Sequence, residues 1–176
     1  MKLAVRLLLP ALLVSVLAAS PALAVTSGTA TVTLAATANT MIQILDPAMT
    51  LSPTPTDYDN DFIEAAGASG LRVRVKTNSS TGMILSVRCS DASPQIALAD
   101  LLVRTTTPAG DAGSALASYT AIAASNMTLW STGVAQHAWQ TVTTDVRVQN
   151  LFGYDDGAGP GVTNYTNTLT YTVVTQ

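Results

Sequence analysis

The chain holds very little with which to cross-link, chelate or catalyse. It has one cysteine, one histidine and two tryptophans in 176 residues. A lone cysteine, Cys89, excludes an intrachain disulfide. On its strand phase it shares a face with Leu85 and Val87, which makes it a small buried hydrophobe. No cluster of cysteine and histidine could hold zinc. A Ser-His-Asp triad would have to use His137, with Asp145 or a more distant Asp as its orienter, and no Gly-x-Ser-x-Gly elbow exists. Paired carboxylates of the glycosidase kind carry no specific signal either. The chain therefore reads as a non-enzyme.

Charge is scarce too, at 11 % of residues, and the only lysines are Lys2 and Lys76. The whole chain carries a net charge of −3. An acidic balance argues against nucleic acid and against anionic membrane as partners. Yet 48 % of the residues are hydrophobic, which is not a disordered composition.

Only one apolar run stands out. Lys2 and Arg6 precede Leu7–Ala19, and Ser20-Pro-Ala-Leu-Ala24 ends in a small-x-small site. That three-part pattern predicts an export signal over residues 1–24, cleaved after Ala24. The run is short for a membrane span, and no later segment is apolar enough to make one. Residues 25–176 are then a single domain with six basic and eleven acidic residues. Periplasm, cell surface and medium are all open as destinations.

What the chain does have is alternation. Leu71, Val73 and Val75 fall on one face of a strand, with Arg72, Arg74 and Lys76 on the other. After Asn78-Ser-Ser-Thr-Gly82, alternation resumes with Met83, Leu85, Val87 and Cys89 on one face. A period of two means one buried and one wet face, and the pair reads as a β-hairpin. Its outer stripe of Arg72, Arg74, Lys76 and Arg88 keeps the sheet soluble or meets an acidic partner.

Further strands are predicted on each side. Ala30, Val32, Leu34, Ala36 and Ala38 alternate with threonines in a long, uncharged N-terminal strand. Met49–Leu51 is a short edge strand between prolines. Phe62–Ala66, Leu101–Thr107, Tyr119–Ala123 and Met127–Trp130 follow, with a helical turn as an alternative over Ser114–Ala124. Gln140–Phe152 places Val142, Val146, Val148 and Phe152 on one face. The last strand, Asn164–Val174, places Tyr165, Leu169, Tyr171 and Val173 on one face. Eight to ten strands with frequent turns predict an all-β, immunoglobulin-like antiparallel sandwich.

Candidate sites follow from residue type. Asp57, Asp59, Asp61 and Glu64 are clustered hard oxygens, a weak candidate for structural Ca²⁺. Asp155-Asp156 is a second, weaker one. Trp130 and Trp139 could form a sugar-stacking platform for a glycan. The N-terminal strand, through Ala30, Val32, Leu34 and Ala36, and the C-terminal strand, through Tyr165, Leu169, Tyr171 and Val173, are candidate pairing edges. The first can fold back into its own sandwich, the option the sequence leans to, or insert into the next subunit by strand addition.

The signal, Ala30-Thr-Val-Thr-Leu-Ala-Ala-Thr, Leu71–Asn78 and the closing Tyr165–Val173 together resemble secreted pilin-like domains of the spore coat protein U type. The ending also resembles cell-surface WxL domains, with Met83-Ile-Leu85 where that family has W-x-L. The resemblance implies a bacterial surface or extracellular structural subunit, a pilus, fibre or coat component built by strand exchange, and no catalytic residues. A monomeric, adhesin-like module binding a glycan or a protein is the alternative.

Overall fold

The computed structural model describes residues 31–108, 113–155 and 164–176. The expected signal at 1–24 and the position of Ala30 lie outside the described residues. The chain divides into one unit of Met1–Ala35 and another of Ala36–Gln176. In the first, residues 31–35 form no regular structure.

The second unit is an all-β sandwich. Its elements, in order, are β1 (Thr40–Ile44), α1 (Pro55–Asn60), β2 (Phe62–Ala65), β3 (Leu71–Thr77), β4 (Met83–Cys89), β5 (Leu101–Thr105), β6 (Ser114–Ala115), β7 (Thr120–Ala121), β8 (Met127–Thr132), β9 (Gln136–Gln149) and β10 (Leu169–Thr175). One sheet has the order β1-β3-β9-β5-β7, and β2 also pairs with β9. The other has the order β10-β4-β8-β6. Every pairing is antiparallel.

β9 organises the larger sheet. One of its edges pairs with β3 over Gln136–Thr144 and then with β2 over Val146–Gln149, while β5 takes the other edge. The core lies between the sheets. Val73, Val75, Val103 and Val142 from one sheet meet Met83, Leu85, Val87, Leu129 and Trp130 from the other, all fully buried. Aligned sandwiches build their cores from such inward-facing sets, about 10 Å thick.

The expected hairpin is corrected here. β3 and β4 belong to different sheets, so residues 78–82 cross the core from one layer to the other. Alternation alone cannot separate a hairpin from such an arch, because each strand presents one apolar face in either case. The crossing is held locally. The Thr77 hydroxyl accepts from Ser79 N at 3.0 Å, and Gly82 adopts φ +85°. A Cβ at Gly82 would stand 1.8 Å from the Thr132 carbonyl oxygen, so only glycine fits. The basic stripe is split in consequence: Arg72, Arg74 and Lys76 lie on one sheet and Arg88 on the other.

Other expectations shift at element ends. Met49–Leu51 is not a strand, and Ser114–Ala115 is extended rather than helical. Residues 55–60 form α1: Pro55 starts it, and the Asp57 carboxylate accepts from both the backbone N (2.7 Å) and the hydroxyl (2.6 Å) of Thr54. Phe152 does not share the inner face of β9. Asn150 turns left-handed at φ 59° and ends the strand, Leu151 takes the buried place, and Phe152 is 78 % exposed.

Candidate functional site

The incomplete part of this sandwich is the flank where the two sheets end. β1 closes one sheet, β10 closes the other, and the two strands lie beside each other without a ladder between them. Among the described residues each pairs on one edge only, β1 with β3 and β10 with β4. Free strand edges are templates for further pairing.

The inner faces of these two strands follow from register. Ile42 and Ile44 stand opposite the buried Val75 and Val73. Leu169, Tyr171 and Val173 stand opposite the buried Cys89, Val87 and Leu85. Directly opposed residues share a face, so all five point inward. Their β3 and β4 partners are sealed, yet these five are only partly covered, and Ile44 is 43 % exposed. Their partial exposure adds apolar surface to this flank. Burial pushes the Tyr171 phenol above the ordinary tyrosine range, while Thr144 in the core acts the opposite way.

The segment leading into β1 is the complementary feature. No strand forms over residues 31–39, contrary to the expected long N-terminal strand. Val32 is 94 % exposed, Leu34 is 87 % exposed, and Ala36 is also exposed. Residues 36–39 run directly into β1, and there the Asn78 side chain takes backbone groups of Thr37 and Asn39 that a strand would use for pairing. The Asn78 Oδ1 accepts from Asn39 N at 2.6 Å, and its Nδ2 donates to Thr37 O at 2.9 Å. The C-terminus is fastened to the same corner, where Gln176 N donates to Gly82 O at 3.2 Å and the Thr81 hydroxyl donates to Gln176 O.

Of the expected C-terminal edge residues, Leu169, Tyr171 and Val173 lie in β10. Tyr165 precedes the strand. Its ring meets Tyr154 edge-on at 5.1 Å, and its hydroxyl accepts from Asp155 N at 3.1 Å. Tyr154 in turn donates to Asp100 at 2.8 Å, and burial with that carboxylate pushes its phenol up to about 12. These two tyrosines fasten loops.

The calcium candidates are not brought together. Asp57 caps α1, Glu64 pairs with Arg147 at 2.7 Å, and Asp61 sits left-handed at the end of α1. Arg147 holds the Glu64 carboxyl below its ordinary range. No group of three or more His, Cys, Asp or Glu side chains that could hold a metal occurs among the described residues. Asp156 lies outside them.

The two tryptophans are also separated. Trp130 is fully buried in the core, while Trp139 lies half-buried on the outer face of β9. They form no common platform. His137 is exposed at the start of β9, where it lines a shallow cavity of about 220 Å³ with Asn39, Met41, Lys76, Thr77, Asn78 and Gln136. That lining has no carboxylate and no activated nucleophile. No described helix is long and apolar enough to cross a membrane.

Comparisons of the chain with family models, with curated proteins and with solved structures find no match in any of the three.

Proposed function

We propose that the protein is a non-enzymatic structural subunit of an extracellular or cell-surface assembly, whose copies associate by β-strand addition. Residues 30–38 of one copy enter the flank between β1 and β10 of the next. The observation that carries this reading is the pairing of two incomplete features in one chain. An uncharged alternating arm leaves Val32 and Leu34 in water, and a flank leaves Ile42, Ile44, Leu169, Tyr171 and Val173 half covered. An added strand satisfies both by main-chain hydrogen bonds at a free edge and by side chains at alternate positions. The small inward residues Ala30, Ala36 and Ala38 suit a narrow space. An exported chain, as the N-terminal pattern predicts, would meet its partners outside the cytoplasm.

The test is complementation in trans. A synthetic peptide of residues 30–38 added to the chain lacking that segment should raise its Tm and slow amide exchange in β1 and β10. Unchanged Tm and exchange at saturating peptide would remove the proposal. Retention on immobilised glycan by a stable monomer would favour the adhesin-like alternative.

A further inference from the structure

The outer face of the larger sheet separates its charges by position. Three of its arginines are neutralised: Arg72 by Asp46 at 2.8 Å, Arg104 by Asp145 at 2.9 Å and Arg147 by Glu64 at 2.7 Å. Arg74 and Lys76 are not. Among the described residues neither has an acidic partner. Arg74 donates instead to the Gln43 amide oxygen at 2.8 Å. Both cations stand over the Trp139 ring, at 4.8 and 4.7 Å from its centroid. Met41, opposite Lys76 in the β1–β3 register, adds 47 % exposed apolar surface. Tryptophan and arginine are the residues most enriched at the energetic centres of protein interfaces.

The opposite end of the same sheet has the opposite composition. Asp59 and Asp61 are exposed and make no ion pair among the described residues. Phe152 stands beside Tyr58, with ring centroids 5.4 Å apart, and exposes most of its surface. Asn150 N donates to Asp61 O, which ties this acidic end to the point where β9 stops. Trp139 lies ten residues earlier on that strand, roughly 30 Å away at a strand rise of about 3.3 Å. An aromatic patch with unneutralised cations and an aromatic patch with unneutralised carboxylates thus occupy opposite ends of one rigid strand. They cannot satisfy each other within a copy.

We propose that the Arg74–Lys76–Trp139 surface docks the Asp59–Asp61–Phe152 end of a second copy, joining copies head to tail along the larger sheet. The contact rests on the assembly reading above and adds a charge-steered step to it. Such a heterologous contact repeats without closing unless its rotation closes a ring, which suits a fibre or a coat. Complementary charge mainly accelerates encounter and fixes register.

The test uses the full chain and two charge reversals, Arg74→Glu with Lys76→Glu, and Asp59→Arg with Asp61→Arg. Association is followed by light scattering at low and high salt, with far-UV circular dichroism to verify folding. Each folded double variant alone should associate about tenfold more slowly than the wild type at low salt, since like charges then face each other. An equimolar mixture should recover the wild-type rate, because each variant's altered end matches an end of the other. High salt should remove the difference. Wild-type rates in either variant alone, or a mixture no faster than its components, would overturn the proposal. So would salt-sensitive retention of a wild-type monomer on immobilised polyuronate without self-association, which would give the face to an acidic glycan. Denaturant-resistant ladders report the arm separately: they would persist at high salt if strand addition holds while the charged contact fails.

Discussion

The two flanks of this sandwich are finished to different degrees. Around β2, β5 and β7, each cation on the outer face has both a carboxylate and a ring. Arg104 lies 4.4 Å and Arg147 4.1 Å from the centroid of Tyr119, and Arg147 is 4.2 Å from that of Phe62. Asp145 is nearly buried beneath this layer, where it accepts from Arg104 and from Gly67 N at 2.8 Å. Around β1 and β10 the inner residues are half wet, and although Arg72 keeps Asp46, Arg74 and Lys76 have no acidic partner among the described residues.

The comparison can be broken or sharpened by mutation. The largest loss is expected inside the core that both flanks share: Trp130→Ala should cost about 3–5 kcal/mol in chemical denaturation, since a fully buried large side chain leaves a cavity. On the finished flank, Asp145→Ala should cost about 2 kcal/mol, because Gly67 N and a partly exposed Arg104 lose their acceptor. A loss as small as that of an exposed ion pair would mean that this flank is no better satisfied than the other.

Acid should act on the same side. The pKa of Glu64 is held down by Arg147, so its contribution is full above the ordinary value of 4.5 and fades as pH falls through the depressed folded value. Stability measured across that range should drop more in the wild type than in Glu64→Gln, by about 0.5 kcal/mol for so exposed a pair. Equal pH slopes would show that the ion pair contributes nothing.

On the open flank the order of effects should invert. Ile44→Ser should lower monomer stability by less than about 1 kcal/mol, its side chain being half in water already. It should nevertheless abolish assembly seen by sedimentation. Heavy destabilisation with assembly retained would mean that β1 serves only its own sandwich.

Much of the sandwich was readable because its signal is local. Strict alternation identifies β3, β4 and the inner faces of β9 and β10, since a residue's face depends only on its parity along the strand. Parity says nothing about which strand lies alongside, so the arch at 78–82 read as a hairpin. Parity also runs past the end of a strand, which puts Phe152 on the inner face by sequence although it lies outside. One left-handed residue, Asn150, breaks the phase there. The start of α1 had a signal, Thr54-Pro-Thr-Asp57, hidden by its prolines and by the acidic cluster after it. The open flank was legible only in part. Candidate edges could be named from Val32, Leu34, Leu169, Tyr171 and Val173. That the first two remain in water while the others stay half covered depends on the spatial order of the strands.

Negative-stain electron microscopy of residues 25–176, beside a version lacking residues 30–38, tests strand addition most directly. Polymers formed by the intact chain and absent from a shortened chain with an unchanged far-UV spectrum are the expected result. A well-dispersed, folded monomer from the intact chain, or a shortened chain that unfolds, would contradict it and return the arm to its own sandwich.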